Sequence, residues 1–422
     1  MLGGSLTWKK NLYVLWIVQI FAQLSFGLCV PFTPYYLETL QPMTDVQLDL
    51  YTGLSSTLPA AAMAIASPIW GAISDRYGRK LMIIRAMGCA SIIFIFMAMS
   101  HSVGIFLFLR MLQGVFTGSV PATMGFVSAN TPEDKMSFAI GFITSSTYLG
   151  YALGPVVGGF FADWIGYEGC FILGAVLMAI GALMTVVLVY ENPDTYGPRA
   201  KLSAGPLEGA GADVIADKKK KSKKGIAGVL TATAVMTLTV LLVVRIGRSV
   251  FTPFVAIFVR ETLGTMEGAT IWTGLVNGAM CVGTAVSAVT LARLGDKYDK
   301  FHFSQVLIIV SLVIGVVLAR PLPLIVFIGV YALYYLMVGA IEPVLTSALT
   351  EVTAPDKRGM LFGLVGTINA AAMMIAPMIG SGISIAVSTT AILTVIPISM
   401  LRSAALIMVE IKFNFRGKGK EN

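Results

Sequence analysis

Charged side chains inside long apolar runs are the residues of this sequence best suited to chemistry. Arg110, Arg245, Arg248 and Glu342 each lie within such a run. A charge in that position is costly, so it is expected to face a polar interior, pair with another charge or hold backbone carbonyl groups. A buried carboxyl group can bind and release a proton as its surroundings change. Glu342, the only acid expected well inside a run, is therefore the candidate proton carrier; a helix-breaking role beside Pro343 is the alternative.

The composition shows what surrounds these charges. Of the 422 residues, 56% are hydrophobic and 12% are charged, and the mean hydropathy is +0.82. That is about half the charge of an ordinary soluble domain, which excludes a cytosolic enzyme and indicates a polytopic α-helical membrane protein. The four cysteines have no C-x-x-C spacing and there are two histidines, so we predict no metal, no cofactor and no enzyme activity. No phosphate-binding loop is present to drive an ATP-dependent pump.

Twelve apolar runs are long enough to cross a bilayer core of about 30 Å, which needs about 20 helical residues. The predicted fold class is therefore all-α, with twelve transmembrane helices. The predicted spans are residues 12–37, 50–73, 81–100, 103–127, 138–162, 168–190, 229–259, 269–292, 302–319, 323–348, 360–386 and 389–410. The first run is too long for the core of a signal peptide, so we expect it to remain in the protein.

Loop charges predict the orientation. Nearly all loop lysines and arginines fall on the side that holds both termini, whereas the opposite side holds only Arg260 and Arg320. By the positive-inside rule, both termini and the central segment lie in the cytoplasm. This topology accounts for the net charge of +8 without a nucleic-acid partner. The lysines between residues 218 and 224 are expected to lie near anionic lipid.

A polar segment divides the chain. Residues 191–228 are rich in Gly, Ala, Pro, Asp and Lys, which predicts a flexible, basic cytoplasmic linker. We predict an N-terminal six-helix half at 1–190, a C-terminal six-helix half at 229–411 and a cytoplasmic tail at 412–422.

The two halves repeat each other. The tripeptide at residues 75–77, Asp-Arg-Tyr, is matched by Asp-Lys-Tyr at residues 296–298, an offset of 221. At an offset of 222, Pro121, Asp134, Lys135, Gly141, Pro155 and Gly158 are matched by Pro343, Asp356, Lys357, Gly363, Pro377 and Gly380. Duplicated six-helix halves suit alternating access around a site at mid-membrane.

The loop after the second span has the pattern G-x-x-x-D-R-x-G-R-K at residues 71–80. Gly71 is expected to permit close helix contact and Gly78 a tight turn. The pattern resembles the signature loop of the major facilitator superfamily, and the resemblance implies that its acid contacts the start of span 11 as a cytoplasmic latch. Lys80 is expected to serve topology alone. The charged residues of this loop are Asp75, Arg76, Arg79 and Lys80.

Two further strings resemble motifs of this superfamily, within its twelve-span drug:proton antiporter group. The string from Arg110 to Gly114 resembles a motif whose buried arginine is implicated in proton coupling; the alternative is that Arg110 holds backbone carbonyls or neighbouring helices. The pattern G-x-x-x-G-P-x-x-G-G in span 5 resembles the motif of antiporter-type exporters. Its small residues are expected to permit close helix contact, and its proline to bend the span. These residues are Gly150, Gly154, Pro155, Gly158 and Gly159. The second half departs from the motifs, with Asp299 at the place of Gly78 and Ser381 at the place of Gly159.

In this superfamily the first, fourth, seventh and tenth spans line the central cavity, so their polar residues are candidates for substrate binding. A spacing of three or four residues puts Gln19 and Gln23 on one face of span 1, and Arg245, Arg248 and Thr252 on one face of span 7. The other candidates are Tyr334 and Tyr335 in span 10, Asn277 in span 8 and Asn369 in span 11. For the two asparagines, helix-to-helix hydrogen bonding is the alternative.

The resemblance implies a proton-coupled exporter of small amphiphilic compounds such as drugs, acting as a monomer in a bacterial cytoplasmic membrane. Its expected partners are a small-molecule substrate, protons and the lipid bilayer. Three in-span arginines against one acid suggest an alternative cargo, an anionic metabolite, a siderophore or a lipid. Against that, Glu342 could neutralise one arginine and leave an ordinary amphiphile pocket. A proton symporter for uptake and a transport-inactive membrane scaffold are the remaining alternatives.

Overall fold

The computed structural model describes residues 3–132, 135–191, 232–295, 297–353 and 358–418. Within these ranges every regular element is a helix, and eleven helical stretches are long and apolar enough to cross a membrane. This confirms the predicted all-α membrane fold. The predicted linker from residue 192 onward and the tail beyond residue 418 lie outside the described residues, so the division into domains stays a prediction.

We label the twelve spans α1 to α12. In the first six, α1 is Gly3–Cys29 with Val30–Phe32 and Thr33–Leu40, α2 is Asp45–Tyr77, α3 is Arg79–Ala98, α4 is Val103–Phe116 with Ser119–Asn130, and α5 and α6 are the two arms of Met136–Leu188. In the second six, α7 is Ala232–Ser249 with Thr252–Phe254 and Val255–Leu263, α8 is Ala269–Val289 with Leu291–Gly295, α9 is Lys300–Leu318, α10 is Leu324–Val338 with Ile341–Val352, α11 is Arg358–Ala386, and α12 is Thr390–Thr394 with Val395–Lys418.

The stretch Met136–Leu188 contains two spans. Its 53 residues would extend about 80 Å at 1.5 Å per residue, more than twice the bilayer core. Gly166 interrupts it with φ 72° and ψ 173°, a conformation that glycine adopts without the cost of a Cβ atom. Counting the two arms as α5 and α6 gives twelve spans within the described residues.

Helix breaks recur in the two halves at the offset found in the sequence. In α1 a short 3-10 segment lies at Val30–Phe32, and in α7 one lies 222 residues later at Thr252–Phe254. The break in α4 is at Gly118, which has φ 119°, and α10 is interrupted at Ala340, again 222 residues on. The repeat therefore extends to the places where the regular helices are interrupted.

The chain forms two compact units, each with its own buried side chains. One comprises Met1–Pro206 with Phe254–Gly278, and the other comprises Leu207–Pro253 with Ala279–Asn422. In the first unit α1 packs along α5 and α6, with residues such as Val18 buried in the core. In the second unit α12 packs against α7 and α9, and α7 also contacts α11.

Candidate functional site

The break in α10 positions a carboxylate between helices. Glu342 lies in the first turn of Ile341–Val352. Its Oε1 accepts a hydrogen bond of 2.8 Å from Nη1 of Arg245 on α7 and one of 3.4 Å from Nδ2 of Asn369 on α11. The side chains of Arg245 and Glu342 are 24% and 29% exposed. Three residues singled out in the sequence thus form one partly accessible polar cluster.

Arg248 is placed differently from Arg245, although both are on α7. Its guanidinium carbon lies 5.5 Å from the ring centre of Tyr335, a cation–π distance. The Tyr335 hydroxyl donates to the backbone carbonyl of Arg248 at 2.7 Å and lies 3.4 Å from Oγ1 of Thr252. Within the described residues no carboxylate pairs with Arg248.

The tyrosines of α10 are buried. Tyr334 is 0% and Tyr335 is 2% exposed. The Tyr334 hydroxyl has no hydrogen-bond partner among the described residues. Aromatic neighbours that we did not predict pack around them, with Tyr331 4.9 Å from Tyr335 by ring centres and Phe251 6.1 Å from Tyr331.

The glutamines of α1 are also buried, at 0% exposure for Gln19 and 2% for Gln23. Oε1 of Gln19 accepts a hydrogen bond of 3.4 Å from Oγ1 of Thr123 on α4. Nε2 of Gln19 and Oε1 of Gln23 have no hydrogen-bond partner within the described part of the chain. Buried polar atoms without partners are uncommon, so a donor and an acceptor remain available in the interior of the first unit.

Arg110 on α4 is 5% exposed and is held by neutral groups. Its Nε donates to the backbone carbonyl of Ser55 at 3.0 Å, and its Nη1 donates to Oε1 of Gln113 at 2.8 Å. These contacts agree with the alternative role, in which Arg110 holds a backbone carbonyl of a neighbouring helix. No carboxylate pairs with Arg110 in the described ranges.

The signature loop turns at Gly78, whose φ of 99° confirms the predicted tight turn. The α3 helix then begins with two backbone N–H groups, those of Arg79 and Lys80, each donating at 2.9 Å to the carboxylate of Glu191. Nζ of Lys80 donates to the carbonyl of Val186 at 2.9 Å. Lys80 thus also contacts the end of α6, and its role in topology stays a prediction.

Other residues of the loop make fewer contacts. No atom of the described residues lies within 4 Å of where a Cβ of Gly71 would be, so the close helix contact expected there stays a prediction. The Arg76 guanidinium lies 5.3 Å from the ring centre of Tyr77. The side chain of Asp75 lies outside the described residues, and its latch contact stays a prediction.

The glycines of α5 confirm the predicted close helix contact. A methyl group on Gly154 would lie 2.6 Å from Cα of Gly27 on α1, and one on Gly150 would lie 2.5 Å from Cβ of Gln23. A methyl group on Gly158 would lie 2.8 Å from Cα of Leu28. These distances are too short for carbon atoms, so α1 and α5 cross with no room for side chains.

The same helix faces α8 with its other small residues. A methyl group on Gly159 would lie 3.0 Å from the carbonyl oxygen of Thr270, and one on Gly274 would lie 2.4 Å from that of Pro155. Pro155 lies within continuous helix, because the non-helical backbone angles inside Met136–Leu188 are those of Gly166.

Asn277 on α8 is buried and donates to the carbonyl of Thr273 in its own helix at 2.9 Å. Thr273 is also 3.0 Å from the hydroxyl of Tyr35, which donates to the carbonyl of Ala256 at 2.6 Å. Close by in sequence, Glu38 on α1 forms an ion pair with Arg260 on α7.

A buried acid that we did not predict lies near the end of the apolar stretch of α12, which runs from Thr390 to Ile411. Glu410 on α12 is 1% exposed, and its Oε1 accepts a hydrogen bond of 2.6 Å from Thr237 on α7. Two in-span arginines were also overlooked: Arg85 lies over the ring of Trp70 at 3.6 Å, and Arg402 is exposed on α12. Each of these two arginines stands in an apolar run, and that position in the sequence could have identified it as an in-span charge.

Metal-binding groups are not assembled in the described residues, where no three His, Cys, Asp or Glu side chains come close enough to hold an ion. The four cysteines, Cys29, Cys89, Cys170 and Cys281, are free thiols.

Twelve membrane-spanning helices, with a sequence repeat between the two halves and charged and amide groups inside each unit, are typical of secondary transporters. The chain belongs to the Major Facilitator Superfamily, whose family model matches residues 15–244 and 237–414. It is therefore a multi-pass membrane transporter of a family that acts on small molecules.

Named relatives cover most of the chain. It is 28% identical over 386 residues to the multi-drug resistance efflux pump PmrA homolog of Lactococcus lactis subsp. lactis (strain IL1403), covering 90% of this chain and 89% of that one. It is 26% identical over 384 residues to multidrug resistance protein MdtG of Klebsiella pneumoniae (strain 342), covering 90% and 88%. Its fold is similar to a crystal structure of a bacterial homolog of the human lysosomal transporter Spinster, with a TM-score of 0.71, 16% identity and coverage of 97% and 96%.

Proposed function

We propose that this chain is a proton-coupled exporter, an antiporter, of small amphiphilic compounds such as drugs. In this proposal it acts by alternating access as a monomer in a bacterial cytoplasmic membrane, with both termini in the cytoplasm. The multidrug efflux relatives support the cargo class and the direction. The observation that carries the proposal is the cluster of Arg245, Glu342 and Asn369, a carboxylate held by three helices and still partly exposed.

Glu342 is the proposed proton carrier. Adding a proton removes the negative charge that attracts Arg245, so the ion pair between α7 and α10 weakens; losing the proton restores it. An ion pair that forms and breaks with one proton gives different stability to two helix arrangements, which is what coupling requires. Arg110, held between α2 and its own helix, would keep the first unit in place during the same cycle.

The test is transport by purified protein in proteoliposomes with an imposed pH gradient. We expect E342Q to lose gradient-driven accumulation of a lipophilic dye but to keep exchange of dye between equal pools, because only the proton-dependent step is removed. The matched control is E351Q on the same helical segment, where Glu351 pairs with Lys300 near the helix end. Gradient-driven transport by E342Q at the wild-type rate would contradict the role of Glu342.

The charge of the cargo is the second question. Because Glu342 pairs with Arg245, the structure favours a nearly neutral amphiphile pocket over a strongly electropositive one. Arg248 is the observation in favour of the anionic alternative, since it faces the Tyr335 ring and no described carboxylate. A carboxylated or zwitterionic cargo would be recognised by this guanidinium.

Paired amphiphiles of one skeleton, one cationic and one carboxylated, separate the two cargoes. We expect transport of the cation to exceed that of the anion, with little effect of R248Q. The control is R320Q, in the loop before α10. Preference for the anion, lost in R248Q and kept in R320Q, would instead establish the anionic cargo. If no compound moves in either direction, the chain is a transport-inactive scaffold.

A further inference from the structure

An arginine stands on the outward face of α12. The helix packs against α7 and α9, and on that side it buries Met400, Ser403, Ala404 and Ile407. Its other side is exposed at positions that recur with helical spacing. These positions, here called the α12 stripe, are Ile398, Leu401, Arg402, Ala405, Met408 and Val409.

The first half provides a matched helix. At the offset of 222, the corresponding positions of α6 are all exposed as well: Val176, Ala179, Ile180, Leu183, Val186 and Val187. Every one of these six side chains is apolar, as expected for a helix face in contact with lipid. The two stripes therefore share one geometry, and they differ in chemistry at a single place, where Arg402 replaces Ile180.

Arg402 lies far from the ends of the span. The apolar stretch of α12 runs from Thr390 to Ile411, so Arg402 is about nine residues, or roughly 14 Å of helix, from the nearer end. Arginines near helix ends extend their side chains to the headgroups, but one near the middle does so only by deforming the bilayer. No hydrogen bond or ion pair of Arg402 occurs among the described residues.

We propose that the α12 stripe is a docking surface for a transmembrane helix of another protein that carries a carboxylate at mid-membrane. Charge complementarity selects this occupant, because a carboxylate can neutralise the guanidinium with two parallel hydrogen bonds. A second copy of this chain is a poor occupant. Its α12 stripe would bring a second Arg402 to the same depth, and the exposed acids in the described ranges lie near helix ends. The apolar residues on both sides of Arg402 supply the packing surface for such a helix.

The test uses a synthetic single-span helix of leucine and alanine with one central glutamate, and a matched helix with glutamine. Each is labelled with an acceptor dye and reconstituted in phosphatidylcholine vesicles with the full-length protein, which carries a donor dye at its C-terminus. We expect energy transfer to show about 3- to 10-fold tighter association of the glutamate helix, the range of interhelical hydrogen bonds in membranes. The preference should vanish in R402L and persist in R402K.

The matched stripe gives a second variant. I180R moves the arginine to α6, and in the R402L background it should restore the preference for the glutamate helix. Equal association of both helices with the wild type, or a preference that survives in R402L, would overturn the proposal. It is likewise overturned if neither helix is preferred but the wild type retains more phosphatidylglycerol than R402L, because the stripe would then be a lipid site.

Discussion

The crossing of α1 and α5 differs in its small residues from its counterpart in the second half, the crossing of α7 and α11. Gly154 meets Gly27 in the first half, with no room for a methyl group on either residue. At the offset of 222, the second half has Ala376 and Ser249, and Ala376 is fully buried with its methyl group in place. Glycine is therefore sterically required at position 154, whereas the matching position of the second half accommodates a methyl group.

The halves also differ at the start of their third helices. In the first half, Gly78 makes a turn with φ 99°, and the first N–H groups of α3 are bound by Glu191 beyond the end of α6. In the second half, Asp299 has φ −59° and caps α9 itself, accepting from the backbone N–H of His302 at 2.9 Å. This explains why the glycine of the signature loop is absent from the second copy. The loop before α3 depends on a carboxylate that is distant in sequence, whereas the loop before α9 supplies its own helix cap.

Gly154→Ala should have the largest effect on stability. The added methyl group overlaps backbone atoms of α1, which cannot rotate away, so we expect a loss of about 1–3 kcal/mol or failure to fold. The reverse substitution in the matched crossing, Ala376→Gly, should cost only about 0.5–1 kcal/mol. Thermal unfolding of both proteins in detergent measures the difference, and equal midpoints would show that the two crossings are equivalent.

Glu191→Ala should come next. It leaves two N–H groups of α3 without their charged acceptor, for which we expect a loss of about 1–2 kcal/mol. Hydrogen exchange by mass spectrometry should show faster exchange in the peptide that contains residues 79 and 80, with the start of α9 unchanged. Protection equal to that of the wild type would mean that α3 does not depend on Glu191.

Asp299→Ala should have the smallest effect, about 1 kcal/mol for the loss of a helix cap. Partial burial alone would raise the pKa of Asp299, but hydrogen bonds from the backbone and ring of His302 outweigh it and lower that pKa below its usual range. A carboxyl group with a lowered pKa stabilises the folded protein above its unfolded pKa, near 4, and loses that contribution as the pH falls further. The difference in unfolding midpoint between the wild type and D299A should therefore be present at pH 6 and disappear in strong acid. A difference that does not change with pH would contradict the cap.

Hydropathy predicted the number of spans because each run is long and apolar, and span 11 was placed within two residues of Arg358–Ala386. The predicted first span, 12–37, is shorter than the helical stretch Gly3–Leu40, because the helix continues through Lys9 and Lys10 and an apolar run does not show where a helix ends. The breaks at Gly118 and Ala340 carry no hydropathy signal.

The candidate site was predictable only in part. Helical spacing placed Arg245 on α7, and its partner Glu342 was evident as an isolated acid. Other features depend on which helices pack together, and a single sequence does not specify those contacts. They are the burial of the tyrosines and the hydrogen-bond partners of Glu191 and Glu410. The exposed position of Arg402 follows from the packing of α12 and not from its local sequence.

Antiport is tested most directly by substrate-driven proton movement. Proteoliposomes that contain the wild-type protein and a pH-sensitive dye, with no initial pH gradient, are given an inward gradient of a lipophilic substrate with fixed charge. We predict that protons leave the vesicles as the substrate enters, and that E342Q abolishes this flux while E351Q retains it. Protons that enter together with the substrate, or substrate entry with no proton movement, would contradict antiport.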